Sequence, residues 1–475
     1  MKKILLFIFL PIVTFAQTQI GQTISSENSE SIGNSVALSQ NGEIVVIGDS
    51  EYNYTGEGRV QIFQFNTTQW IQLGQDIVGD YSVPGFSLGS QVEISNDGSI
   101  IAISTPGYFN GDGFDGQITM YKIIDNVWSE IGNSIFGMNN EALGSSLSLS
   151  ADGNIVAMGG YRGTVLDRVV VYQNINDQWE LMGSPLTGGE SDTGFGRSVS
   201  LSSDGMTLAV GENKASNKGE VNIYQFSNDE WTQIGESILG ESNEDYFGSD
   251  VDISQNGTTV AIAAAGKDDD FTNAGQVKVY TLSNNEWSQV GQNINGLRPN
   301  EGDNIQVRLS NNAQTLIASW PNYGDEFQEK GIVRILKNVN GQWEEVSDSI
   351  IGNDFFTYTG RGLNISPDGS VLAVGSPQYF SGSGFVQMYD LSDILSIETS
   401  SVLDISVYPV PSSSIVNIAT SQANIIKNIN IYNLQGQIID TLITPTIDIS
   451  NLESGLYILE IVTTKGKSNK RIIKL

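Results

Sequence analysis

The 475-residue sequence contains neither Cys nor His. That removes disulfides, thiolate nucleophiles, imidazole bases, Ser/His/Asp and Cys/His constellations and ordinary zinc sites. Chemistry is left to carboxylates, Tyr, Lys or a hard cation. Calcium takes several oxygens at about 2.3–2.6 Å, and two acidic runs offer them. Asn110, Asp112 and Asp115 supply three side-chain ligands on one loop, and Asp268, Asp269 and Asp270 are contiguous. Neither run has the spacing of a full calcium loop, and solvated surface is the plainer reading of both. A second constellation sets aromatic residues beside acids: Tyr52, Tyr54, Tyr108, Phe109, Trp320, Tyr323, Tyr379 and Phe380. Exposed rings next to carboxylates suit sugars, which stack on their apolar faces and hydrogen-bond at their edges; packing within their own loops is the competing structural account. Glycoside hydrolysis needs two carboxylates about 5–10 Å apart, one with a raised pKa. Among 54 acids the sequence singles out no such pair. Those acids against 23 Lys and Arg leave a net charge of −31, which repels phosphate backbones and argues against nucleic acid as a partner.

What must position these segments is a repeat. A turn residue preceding Gly, or its equivalent, falls at Asn41, Asp97, Asp152, Asp204, Asn256, Asn312 and Asp368, with a Ser two positions before each. Around the fourth copy, the alternating pairs Val199/Leu201 and Leu208/Val210 predict a two-residue β-hairpin whose turn needs positive φ. The degenerate copy Asn312-Ala313 places Ala where that conformation is expected. Each copy continues with a strand of the type Gly-x-Val-x-Ile-Tyr. Six copies then place a Trp after a polar turn: Trp70, Trp128, Trp179, Trp231, Trp287 and Trp343. So large an apolar surface is best explained as packing between repeats. Four strands per copy make a propeller blade, so the copies predict an all-β chain built on a seven-bladed β-propeller. In a four-stranded meander alternate connections share an end. The tight turns therefore occupy one face, and the variable loops, where a ligand is expected, occupy the other.

The seventh copy ends without its Trp strand. Thr18-Gln19-Ile20-Gly21 repeats Thr232-Gln233-Ile234-Gly235, so the N-terminal segment is expected to supply the outer strand of the last blade and leave no open edge. Gln17 then takes the Trp position. Ahead of it, Lys2-Lys3, the apolar run from Ile4 to Val13 and Thr14-Phe15-Ala16 read as a signal peptide over residues 1–16. No later apolar run reaches the length of a membrane-spanning helix. The propeller is expected over 17–395, a linker over 396–402 and a second domain over 403–475. In that second domain charge is nearly balanced, Trp is absent and short alternating runs predict a small Ig-like β-sandwich.

Two resemblances follow. The repeat resembles the FG-GAP or integrin-like class of propeller through Phe195-Gly196 and Phe247-Gly248. Its second half is only approximated, by Gly211-Glu212-Asn213 and Gly375-Ser376-Pro377. Integrin-like members hold calcium in the first hairpin; the tight Asp-Gly turn here leaves no room for that cage, so those sites do not carry over. The tail resembles the C-terminal sorting domain of the type IX secretion system. Tyr408-Pro409-Val410-Pro411 stands where the family has Tyr-Pro-Asn-Pro, Ile431 to Gly436 matches its central strand and Ile449 to Tyr457 its late turn and strand. Tyr408, Pro409, Pro411, Gly436, Leu452, Gly455, Tyr457 and Lys470 are the sorting-motif residues so identified. The resemblance implies recognition by an outer-membrane translocon and its sorting peptidase, then removal of the tail with release or attachment to surface lipopolysaccharide. The expected function is therefore a secreted or cell-surface, non-catalytic binding or adhesion propeller for a polysaccharide or protein. The alternatives are a carboxylate-dependent polysaccharide hydrolase or lyase, or a structural surface-layer protein.

Overall fold

The computed structural model describes residues 17–26, 31–52, 56–79, 87–109, 113–160, 167–189, 192–269, 271–325, 328–378, 383–392, 405–420, 426–433, 438–463 and 466–475. The leader expected at 1–16 and the linker expected at 396–402 lie outside them. By internal contacts the chain divides into Met1–Leu395 and Ser396–Leu475.

The first unit is a seven-bladed propeller. In blade 4, Phe195–Leu201, Thr207–Glu212, Glu220–Ser227 and Glu230–Gln233 follow one another from the axis outward, all antiparallel. A short fifth strand, Ile238–Leu239, pairs with the start of Glu220–Ser227, while Glu230–Gln233 pairs with its end. The outer edge is thus a single strand interrupted where Gly235 takes φ +69°, and the same five-stranded pattern recurs in all seven sheets. The inner strands are Ser35–Leu38, Val92–Ile94, Ser146–Leu149, Phe195–Leu201, Phe247–Ile253, Gln306–Leu309 and Gly362–Ile365. Each packs against the next, and the seventh against the first, so the ring closes. Blades can approach this closely because of paired glycines. A Cβ on Gly211 would stand 2.2 Å from the carbonyl oxygen of Gly248, itself at φ +87°.

The Ser-x-Asp-Gly turns differ from the two-residue hairpin read from the sequence. Ser202 N–H donates to the Thr207 carbonyl and Gly205 N–H to the Ser202 carbonyl, leaving four residues in the loop. Among the turn residues of this copy only Gly205 has positive φ, at 70°. The reason is side-chain competition for the backbone. Ser202 Oγ accepts the Thr207 N–H at 2.9 Å and donates to Asp204 Oδ1 at 2.6 Å, and that oxygen accepts the Met206 N–H at 3.0 Å. Ser and Asp thus take the bonds a tighter turn would have given to main chain. In the degenerate copy Ala313 does occupy φ 52°.

Backbone bonds link these turns around the axis. The amides of Gln40, Asn96, Ala151, Ser203, Gln255 and Asn311 each donate to the residue at the same position in the next blade. Pro367 has no amide, so Asp368 N–H closes the circle on the Gln40 carbonyl at 3.2 Å. At the rim, five of the six blade Trp residues are buried and Trp287 is partly so. Each indole N–H donates to a carbonyl of the preceding blade; that of Trp231 reaches Met182 O at 2.9 Å. Blade 7 is completed from the other end of the chain. Thr18–Gln19 and Ile24–Ser25 both pair with Phe385–Asp390, through Thr18↔Asp390 and Ile24↔Val386.

In the second unit, Ile405–Tyr408, Ile415–Thr420 and Thr446–Asp448 form one sheet. Ile438–Leu442, Ile426–Tyr432, Gly455–Thr463 and Gly466–Lys474 form the other. Val416, Ile418, Ile429, Ile431, Ile447, Leu459, Ile461 and Ile472 fill the space between them, as the alternation of a sandwich requires.

Candidate functional site

The inner strands surround a polar central channel with a cavity of about 370 Å³. It is built from alternation. Odd positions such as Val199, Leu201, Val251 and Ile253 are buried apolar side chains, while the positions between them carry polar groups that bridge to the next blade. An inner strand has no further strand to bond its amides, and these side chains serve instead. Ser148 Oγ accepts the Leu201 N–H at 2.9 Å and Ser200 Oγ the Ile253 N–H at 3.0 Å. Asp250 and Asp252 carboxylates accept the amides of Val307 and Leu309 at 2.8 and 2.6 Å.

Small hydroxyls satisfy that task, yet three blades place charge there. Counting two residues back from each turn Ser gives Ala37, Glu93, Ser148, Ser200, Asp252, Arg308 and Asn364 around the ring. Arg308 Nη1 donates to Asp250 Oδ2 at 2.8 Å and to the Val307 carbonyl at 2.6 Å, and Nη2 reaches Gln306 Oε1 at 3.1 Å. Burial works against its charge, but Asp250, Asp252 and Glu93 outweigh that and hold the guanidinium ionised. Burial pushes Glu93 up to about 8, opposed by Arg308 and reinforced by Asp252. Burial likewise raises Asp252 to about 6, against Arg308 and the Leu309 and Ser200 hydrogen bonds. Asp250 is raised for the same reason. Nearer the strand starts, away from the tight turns, Arg197 and Arg361 also line the channel. Carboxylates of unequal acidity beside a fixed cation can bind a charged or hydroxylated ligand and can hold or release protons near neutrality.

Those of the loop residues expected from sequence that are described do not line this channel. Trp320 is buried at 1% exposure as the last residue of Thr315–Trp320, with its indole N–H on the Ala274 carbonyl at 3.1 Å. It is a packing residue, because its ring faces protein rather than solvent. Tyr323 lies under the Arg298 guanidinium, 5.1 Å from its ring centre, and Tyr52 under that of Arg59 at 4.0 Å. Tyr108 packs on Phe136 and Phe109 on Phe114, each with ring centres 5.4 Å apart; Phe109 is the more open, 39% exposed. Tyr54, Tyr379 and Phe380 lie outside the described residues, as do Asn110, Asp112 and Asp270 of the acidic runs. Asp115 is buried and accepts the Asn140 N–H at 2.8 Å. Asp268 accepts the Asn273 N–H, and Asp269 pairs with Lys267 at 3.3 Å. Asp268 and Asp269 therefore tie their own loop, and Asp115 ties its loop to the connection that carries Asn140. Among the described residues no group of three or more acidic side chains is placed to hold a metal ion.

Of the tail residues, Leu452 and Tyr457 pack on the sandwich core, Tyr408 is half-exposed and Lys470 pairs in register with Leu459. Tyr408-Pro409 and Val410-Pro411 are cis peptides. Gly455 has open space around it and Gly436 lies outside the described residues. Residues 406–475 match the family described as a secretion system C-terminal sorting domain. The tail is a type IX sorting domain. It implies export to the cell surface or beyond, and an encounter with the type IX secretion machinery.

Among curated proteins none matches the chain. Among solved structures, the chain is similar to the periplasmic gluconolactonase of Pseudomonas aeruginosa at 14% identity and a TM-score of 0.48, covering 88% of this chain and 96% of that one. It is also similar to a candidate 6-phosphogluconolactonase of Bacteroides uniformis at 14% identity and a TM-score of 0.48, covering 68% and 86%. These likenesses concern the all-β fold; the reactions named belong to those proteins.

Proposed function

We propose that this chain is an exported, non-catalytic binding propeller of FG-GAP-like repeats, acting in adhesion or capture at the cell surface, with its ligand seated in the central channel. The observation that carries the reading is the charged group of Glu93, Asp250, Asp252 and Arg308. Hydroxyls at equivalent positions bridge the blades just as well, so charges there cost a desolvation that bridging does not require, which points to a functional site. The sorting tail supports surface delivery, and recognition by the translocon and its sorting peptidase through Tyr408, Pro409 and Pro411 belongs to the same reading.

The test uses the full chain against arrays of surface polysaccharides and peptides, beside an Asn364→Trp variant whose indole obstructs the channel. Ligands that bind the first and not the second support the reading; ligands that bind both equally place the site elsewhere. A second reading, a polysaccharide hydrolase or lyase, is favoured by the unequal acidities of Glu93 and Asp252, since an acid and a base in one site need separated pKa values. New reducing ends on incubation with polysaccharide would select it, because a binder releases none.

A further inference from the structure

The channel is ordered along its axis. Arg197 and Arg361 stand at the starts of their inner strands, whereas Glu93, Asp252 and Arg308 stand three residues further along, at the level just before the turn. At about 3.3 Å per residue the two levels are about 10 Å apart, and the reach of an Arg side chain shortens the span a ligand must bridge. In the deeper level the single cation is committed. Arg308 is bonded to Asp250, Gln306 and the Val307 carbonyl, so its charge balances one of three carboxylates. Among the described residues neither Glu93 nor Asp252 makes an ion pair of its own, and both line a cavity large enough for an alkyl chain.

We propose that the channel binds an amphoteric ligand, with a primary ammonium group between Glu93 and Asp252 and a carboxylate toward Arg197 and Arg361. This rests on the channel being the ligand site. A primary ammonium has three donors in a compact head, and Asp252 offers it what Ser200 Oγ and the Leu309 amide leave unused. The charged and titratable groups facing the site are the six named: Glu93, Asp250, Asp252, Arg308, Arg197 and Arg361. At neutral pH Glu93 holds a proton, since burial raises its pKa to about 8. When the ammonium arrives the carboxylic O–H bond breaks, the proton passes to buffer and the carboxylate so formed pairs with the ligand. Binding therefore releases a proton, and affinity rises by about tenfold per pH unit toward about pH 8.

The probe is ε-aminocaproate, with caproate as control, titrated calorimetrically into the full chain in two buffers of different ionisation enthalpy. The expected result is binding of ε-aminocaproate with close to one proton released, absent for caproate. Glu93→Gln, which keeps the shape of the protonated acid, should abolish the proton release and weaken binding by at least about tenfold, and Asp252→Asn should weaken it too. Failure of ε-aminocaproate to bind, equal binding of caproate, or unchanged binding in both variants would overturn the proposal. If the arrays yield a ligand that Asn364→Trp excludes while ε-aminocaproate does not bind, the channel stands as the site and only this ligand class falls.

Discussion

Glu301 offers a quantitative test of how these blades tolerate buried charge. It lies in the connection between blades 5 and 6, 1% exposed, with Oε2 accepting the Leu297 N–H at 3.1 Å and Oε1 buried without a hydrogen-bond partner. In the corresponding connection before blade 3, Glu141 is paired with Arg168 at 2.6 Å. Before blade 6 the position of Arg168 is taken by Ile332, which cannot pair. Burial accordingly raises Glu301 from 4.5 to about 7, against the pull of the Leu297 and Arg298 amides and the more distant Arg298 and Arg334 charges. Between those two values the folded chain holds a proton that the unfolded chain has lost. Stability from this group is therefore complete below about pH 4.5, falls as pH rises toward about 7 and is flat beyond. At about 1.4 kcal/mol per pKa unit the loss amounts to about 3 kcal/mol. Glu301→Gln keeps the acceptor for Leu297 and removes the titration. Urea unfolding of the full chain, followed by Trp fluorescence at pH values on both sides of this window, should give a difference between variant and native protein that grows in the variant's favour by about 3 kcal/mol from low to high pH. Other raised acids cancel in that difference. A pH-independent difference would show that Glu301 is ionised in the folded state and that the argument from its missing partner is wrong.

Trp231→Ala should lower propeller stability by about 3–5 kcal/mol, because the indole is 8% exposed, packs on Phe226 with ring centres 5.2 Å apart and bonds the Met182 carbonyl; an unchanged melting temperature would refute the packing role. Ala313→Gly should stabilise by about 1 kcal/mol, since Ala at φ 52° occupies a region that costs an L-residue roughly 1–2 kcal/mol; thermal melting would reveal a loss if the turn depended on the methyl. A chain lacking residues 406–475 should fold its propeller yet fail to reach the surface, and fractionation of expressing cells would detect it outside if another signal sufficed.

The fold was legible because it repeats. The turn Ser, the turn Asp or Asn and the outer Trp recur in register, and each has a fixed bond to make, so blade boundaries stand out without any knowledge of the core. The turn type was misread because Ser202 and Asp204 take up backbone bonds that a propensity for Asp-Gly does not anticipate. The channel acids escaped notice for a different reason. Val251-Asp252-Ile253 is an ordinary apolar-polar-apolar alternation, and its polar member reads as a solvent-facing residue until the ring places it on an axis. The signal was present in the column Ala37, Glu93, Ser148, Ser200, Asp252, Arg308 and Asn364, where three charges break a run of small groups. Trp320 failed in the opposite sense. It closes a strand rather than opening a loop, and an aromatic residue at that boundary gives no sign from sequence of which side it belongs to.

The closure of blade 7 gives the two chain ends unequal mechanical standing. Phe385–Asp390, from which the chain runs on toward the tail, is held on one side by six register pairs to Val371–Ser376 and on the other by the N-terminal strands. Thr18–Gln19 and Ile24–Ser25 have that one strand as their sheet partner and meet it through two pairs each. Tension drawn through the tail must shear a strand gripped on both flanks, whereas tension on the other end need only peel short pairings one at a time. A surface protein attached through the C-terminal side of its propeller would hang from the sturdier of its two ends.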